Sequence, residues 1–559
     1  MSKRSRNVLI AILIVAALLR FFGLGRGDTV NDEVLYAFRG LGMIDFDEAP
    51  YQTTPLEWFD PLAHPGAVTP WWVYVSFHDH PPLVFAVQHV FLAIFGDNTI
   101  AFRLPSSIAG VMSVYLLFLI GRKLFSEKAG LFSAFGYAIT LNGVYISRTG
   151  LQEAHLIFFL LLAFYVFLQG LENKKYFIWL GVLIGLGGLV KYNFFIALPV
   201  FFAYLALFKR SVFRLREFWI GALLAIIVFS PVIVYNTELY RAVGHFDFQL
   251  SHMFGQEHPE WQVQPGKEIG TLGKRLTDIL PRLIATHSWL FLALVAMSLA
   301  IFCYSFIKKP RAHLQEKTVV ALTLAFLFVL IMLIGPAYRF LTMLTPFFAL
   351  VVGFALAHMQ EKIRGRVVYA VLSGAVIIAC FEIFYSYNNQ IAYYPTGPIP
   401  WMASKVRNEN YNWGYNELEE YLTKEFAGKM PLLTFDTKYQ FLENIRNGAL
   451  QDGTHRGLRR EPFLIVYGGN IDDGAKLWVF ERRLVYKAWP ILKMNDYYAY
   501  LNERGNDYFD RSGFKKQYFI YATNSVPDAV FRSTVAGLTP TPIKNQRGDI
   551  AFLVYKREL

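Results

Sequence analysis

Apolar runs of about 20 residues, the length that carries a helix across a ~30 Å hydrocarbon layer, recur through the first 385 residues. They fall near 8–25, 104–121, 130–147, 156–172, 176–190, 193–208, 218–235, 285–306, 318–335, 341–357 and 366–385. This pattern predicts about eleven crossings. A further apolar run, PPLVFAVQHVFLAIFG (81–96), begins with two prolines and carries Gln88 and His89. It is short for a span and reads as an amphipathic helix lying at the interface.

After residue 386 the pattern changes. YNELEEYLTKEF (415–426) has a helical period, while LLTFD, FLIVYGG, YFIYAT and IAFLVYK are short β-rich runs separated by turn residues. Two domains are expected: a membrane module over 1–385, whose loop 26–103 is exposed, and a soluble α/β domain over 386–559.

Charge orients the spans. Basic residues cluster in the N-terminal MSKRSR, GRKLFSEK (121–128), ENKKY (172–176), FKRSVFRLR (208–216), KKPRAHLQEK (308–317) and HMQEKIRGR (358–366). If these are cytoplasmic, each neighbouring pair is separated by an even number of crossings. The first run resembles a signal peptide, but Arg20 and FFGLGRG provide no Ala-x-Ala-type cleavage site, so it reads as a retained span. The N-terminus is then cytoplasmic. The loops 26–103 and 236–284, the joints 147–156, 190–193 and 335–340, and the tail all lie on the outer face of a plasma membrane.

Composition agrees with this picture. Hydrophobic residues make up 54% of the 559 positions and charged residues only 17%, against about 25% in soluble domains. The net charge of +12 is spread over short clusters between spans, which argues against a nucleic-acid partner. The two cysteines, Cys303 and Cys380, lie in apolar runs and form no metal motif. No GxGxxG, P-loop or GxSxG pattern occurs, so a soluble nucleotide cofactor is not expected.

The candidate chemistry lies on the predicted outer face. Asp32 and Glu33 follow the first span. An acidic pair there is a common helix start, but a poised carboxylate can also take a proton from a hydroxyl nucleophile, with Tyr36 and Arg39 on nearby helical faces. His78-Asp79-His80 has HxH spacing, which suits either a metal or a polar hinge before the interfacial helix. Arg103 starts a span as an anchor or as a ligand for an anionic headgroup. Glu153 in SRTGLQEAHL, Lys191 in VKYN and Arg339 in GPAYRF are isolated ionisable groups at span ends. Cations there either snorkel or bind phosphate. His245, His252 and His258 carry no assignment. A divalent metal is compatible with these residues, and none is demanded.

In order along the chain stand Asp-Glu-x-x-Tyr after the first span, HPPL, FRLPSSIAG, GRKLF, a carboxylate after SRTG, GLGGLVK and YRFLTMLTP. Over about residues 8–357 the chain thereby resembles the GT-C glycosyltransferases related to protein O-mannosyltransferases and lipid A aminoarabinose transferases. The resemblance implies an α-helical polytopic enzyme with outer-face interfacial helices. It implies an inverting transfer of a sugar from a polyprenyl- or dolichyl-phosphate donor to a hydroxyl acceptor on protein, lipid or glycan. Asp32 would be the general base and Glu33 its support, while Lys191, Arg339 and Arg103 would face the donor phosphate. Glu153 stands where the family usually has Asp, leaving a metal or acceptor role for Glu153, His78, His80 and Tyr36 open. A lipid or glycolipid transporter, or a non-catalytic binding member of the fold, is the competing reading. Ionisable groups clustered at one surface, with no internal repeat, weigh against a transporter.

Overall fold

The computed structural model describes all residues except 30–31, 48–51, 262–269, 309–312, 363–365, 409–411 and 559. Parts of the basic clusters at 308–317 and 358–366, and Asn31 beside the acidic pair, lie outside the described residues. The chain forms two compact units, Met1–Gly25 with Tyr74–Glu409, and Arg26–Val73 with Asn410–Leu559.

The first unit is helical, and each of the eleven predicted spans coincides with a helix or a broken helix. Six helices among the described residues are long and apolar enough to cross a membrane: Thr99–Leu124, Gln152–Gly170, Arg216–Val243, Trp289–Lys308, Leu314–Ile334 and Tyr338–Lys362. The run 130–147 is bent by 61° between Glu127–Ile139 and Leu141–Arg148 and adds a seventh if counted as one span. Tyr176–Val190 and Tyr192–Phe208 are shorter. The run predicted to be interfacial is the 13-residue helix Leu83–Phe95. Its Gln88 is buried and donates Nε2 to the Gly150 carbonyl at 2.8 Å, so the polar residue that marks the run faces protein.

Helices approach closely where glycines permit it. A Cβ on Gly181 would lie 1.9 Å from the Gly221 carbonyl oxygen, so any side chain would force the pair apart. Such contacts stand in for the hydrophobic driving force that a membrane interior lacks. Arg148, buried in the SRTG joint, donates to the carbonyls of Leu19, Arg20, Phe22 and Gly23 at 2.9–3.1 Å. It thereby satisfies the orphan acceptors at the end of the first helix, Lys3–Phe21.

The second unit holds a five-stranded sheet in the order β4-β3-β5-β7-β6. β3 (Phe463–Tyr467) is parallel to β4 (Ile491–Lys493) and β5 (Lys516–Ala522). β7 (Ile550–Glu558) runs antiparallel to β5 and to β6 (Thr541–Lys544). A separate parallel pair joins β1 (Lys429–Pro431) to β2 (Arg459–Glu461). The predicted helix is present as Tyr415–Glu425. FLIVY, YFIYA and IAFLVYK are strands as expected, but LLTFD is a loop. There Arg446 Nη1 takes the Phe435 carbonyl at 2.7 Å, so this acceptor bonds a side chain.

The compact units divide the chain differently from the expected boundary at residue 385, because residues 26–73 pack with the tail. Asp28 accepts the backbone N–H groups of Trp413 (2.6 Å), Gly414 (3.1 Å) and Asn416 (2.8 Å) at the start of the helix Tyr415–Glu425. Burial nevertheless pushes its carboxyl up to about 6, even though these backbone bonds act to lower it. Tyr486 donates to the Phe38 carbonyl at 2.8 Å, and Asp60 accepts the Gln440 N–H at 2.8 Å.

Candidate active site

Three helix breaks in the first unit bring together residues far apart in sequence. Glu153 lies in the first turn of Gln152–Gly170, where a carboxylate complements the helix dipole. Lys191 occupies the break between Tyr176–Val190 and the short turn Tyr192–Ile196. Gly187 has only a hydrogen where a Cβ would meet the Phe194 ring at 2.4 Å, which lets the chain fold back tightly after Lys191. Arg339 follows Gly335, whose φ of +87° ends the preceding helix in a conformation that costs glycine little.

The result is an ionic trio. Lys191 Nζ is 2.7 Å from Glu153 Oε1, and Arg339 Nε is 3.7 Å from the same oxygen. Lys191 Nζ and the Arg339 guanidinium lie 5.4 and 5.3 Å from the centroid of the Phe340 ring, within cation–π range. Glu153 is fully buried, and its Oε2 has no hydrogen-bond partner among the described residues. The two cations line a cleft shared with Asp79, His80, Tyr192 and Gln249. The trio carries two positive charges on one carboxylate, and the Asp79 carboxylate also lines the cleft.

Sequence reasoning missed the polar support of this cleft. Tyr192 donates to Asp247 Oδ2 at 2.5 Å, and Asn236 Nδ2 donates to the same oxygen at 2.9 Å. The Asp247 N–H returns to Asn236 Oδ1 at 2.7 Å. Burial pushes the Asp247 carboxyl up, while these hydrogen bonds act the other way. The loop 236–284 was legible as a carrier of histidines, but no periodicity pairs Asp247 with a tyrosine 55 positions away.

The remaining candidates are distributed otherwise. His78 is buried with its ring 5.5 Å from that of Trp261, and His80 Nδ1 lies 3.1 Å from Asp79 Oδ1. Arg103, expected at the donor phosphate, is buried, donates Nη1 to the Leu24 carbonyl at 3.1 Å, and is not among the cleft residues. Asp32, Glu33 and Tyr36 belong to the second unit, on the helix Asp32–Gly42. Asp32 is half-buried, and Glu33 and Tyr36 are buried. Arg39, on the same helix, pairs with Asp47 at 3.0 Å and Asp45 at 3.9 Å.

An apolar groove of about 310 Å³ lies among Tyr176–Val190, Ala197–Phe208 and Arg216–Val243. It is lined by Phe167, Leu180, Phe201 and Phe229, among others. Phe195, in the turn just after Lys191, also lines it.

Comparison with known proteins bears on the fold. A family model described as dolichyl-phosphate-mannose-protein mannosyltransferase matches residues 79–235. YycA and YkcB of Bacillus subtilis (strain 168), both carrying a provisional mannosyltransferase name, are 31% identical over 232 residues and 28% over 190 residues. These alignments span 41% and 32% of this chain, and 31% and 23% of those relatives, so the chain matches a third or less of their length. The crystal structure of ArnT from Cupriavidus metallidurans bound to undecaprenyl phosphate superposes with a TM-score of 0.56 at 13% identity, covering 100% of this chain and 98% of that one. Its apo form gives 0.52 at 12%, covering 98% and 97%. Identity this low shows the fold alone. With its apolar helices and terminal sheet domain, the chain is an integral membrane protein that shares the fold of ArnT, and over residues 79–235 it is similar to the mannosyltransferase family model.

Proposed function

We propose that this protein transfers a sugar, with inversion, from a polyprenyl-phosphate-linked donor to a hydroxyl acceptor at the outer face of the plasma membrane. The observation that carries this reading is the Lys191–Glu153–Arg339 trio, which turns two cations toward a cleft while keeping their counter-ion buried. As the glycosidic oxygen leaves with the lipid phosphate, negative charge grows on that phosphate, and cations already held in place stabilise it without reorganising. The mannosyltransferase family description and the undecaprenyl phosphate bound to ArnT support a lipid-phosphate donor. The apolar groove beyond Lys191 suits its tail.

Asp32 takes the acceptor hydroxyl proton as the nucleophile attacks the anomeric carbon, and Glu33 supports it; these roles follow from the Asp-Glu-x-x-Tyr motif. The test is transfer by purified protein from a panel of polyprenyl-phosphate sugars, wild type beside Asp32→Asn. Transfer that falls about 10²–10⁴-fold in the variant supports enzyme and base together. Labelled lipid that binds with no turnover from any donor would shift the assignment to a transporter or a non-catalytic member of the fold.

A further inference from the structure

The second unit contains a cavity of about 440 Å³ that the proposed reaction does not use. Its volume is that of a small-molecule site. Aromatic Phe46, Tyr439 and Trp489 and the carboxylates Asp47, Glu57 and Asp436 contribute to its wall. A second cavity of about 250 Å³ shares Phe435, Asp436 and Leu484 with it. That neighbour is bordered by Tyr467 and Lys493, the last residues of β3 and β4. The smaller cavity thus reaches the carboxyl ends of two parallel strands, where open α/β sheets bind ligands.

The charges narrow the ligand class. Two cations also line the larger cavity, Arg446 and Lys438. Arg446 is committed to the Phe435 carbonyl and to Glu443, and the Lys438 ammonium lies 4.9 Å from the centroid of the Tyr439 ring. Asp47 is itself paired with Arg39, so Glu57 and Asp436 face two cations that are already engaged, which does not favour a phosphate. Hydroxyl groups, by contrast, satisfy carboxylates directly, and the C–H face of a sugar ring packs on aromatic carbon.

We propose that this cavity binds a phosphate-free saccharide, through hydroxyl hydrogen bonds to Glu57 and Asp436 and packing against Phe46, Tyr439 and Trp489. Glu57 is buried and already oriented, since its Oε2 accepts the Thr54 N–H at 2.7 Å. Burial pushes its carboxyl up to about 7, against the hydrogen bonds from Thr54 and Tyr439 that act to lower it. Near neutral pH it can therefore both donate to and accept from a sugar hydroxyl. Asp436 is exposed and lines both cavities, so it is placed to contact a ligand that extends from one to the other.

The test uses the full chain in nanodiscs, with saturation-transfer NMR and calorimetry. The probes are free neutral hexoses, hexosamines, N-acetylhexosamines and their disaccharides, with inorganic phosphate as the counter-probe. The expected result is that at least one saccharide binds wild type and Asp32→Asn with the same Kd, while Asp436→Ala or Glu57→Gln weakens it about tenfold or more. Asp436→Ala keeps the test open if Glu57→Gln misfolds, because Asp436 is on the surface. Binding by none of the saccharides, affinity unchanged in both cavity variants, competition by phosphate, or loss of binding in Asp32→Asn would each overturn the proposal. Since Asp32→Asn is read by binding and not by turnover, failure of the catalytic assignment is distinguishable from failure here.

Discussion

Two clusters in this protein have the same composition, one carboxylate between two cations, and differ in which partner is hidden. In Glu153–Lys191–Arg339 the carboxylate is 0% exposed and the cations 12% and 29%. In Glu419–Arg482–Arg483 the order is reversed: the arginines are 0% and 1% exposed and the carboxylate 22%. Both arginines of the second cluster lie 2.5 Å from Glu419, and the Arg482 guanidinium is 4.0 Å from the centroid of the Trp478 ring. The first cluster presents positive charge to a cleft, and the second spends it inside a wall. Charge count is equal in the two, so geometry alone separates a prospective anion site from a brace.

Removing the cations should break the comparison most sharply. Lys191→Ala and Arg339→Ala are each expected to lower the transfer rate about 10²–10³-fold, as loss of a preorganised charge-stabilising group does, with the fold retained. Single-turnover assays on purified, monodisperse protein check this. Loss of folding in step with activity would make this trio a brace as well.

The opposite outcome is expected at the other cluster. Glu419→Gln removes the charge that the two buried arginines share and should cost about 3 kcal/mol, while folded molecules keep their transfer rate. Hydrogen exchange over residues 415–425 reads the stability. Burial pushes the Glu419 carboxyl up, but Arg482 and Arg483 more than offset this and hold it at about 2, below its ordinary 4.5. Its stabilisation is therefore complete above pH 4.5 and is lost as pH falls through 2. Acid titration should show this loss in wild type but not in Glu419→Gln.

The smallest effect sharpens the assignment of Arg103. If its hydrogen bond to Leu24 is an anchor, Arg103→Ala costs about 1 kcal/mol of stability and leaves donor KM unchanged. A raised KM would return Arg103 to the phosphate site.

Much of the membrane unit was legible, because hydropathy and length are local properties and each predicted span coincides with helix. The positions of Glu153, Lys191 and Arg339 at span ends already suggested a shared surface. The sharing of Glu153 Oε1 by both cations was not legible, since it depends on how three helix breaks meet. LLTFD reads as a strand from its residues, yet its backbone is engaged by Arg446. Tyr192, Asn236 and Asp247 form a network from residues that are individually ordinary.

By itself, then, the sequence determined what a one-dimensional pattern can carry: where helices are apolar enough for a bilayer, where basic charge interrupts them, and where a β-rich tail begins. Tertiary structure alone decided that residues 26–73 join that tail, and which sign of each ionic trio is exposed. Both outcomes rest on contacts between residues distant in sequence, from 38 positions for Glu153 with Lys191 to 385 for Asp28 with Trp413. Burial and hydrogen-bond pairing are properties of the assembled chain, so no local period or composition records them.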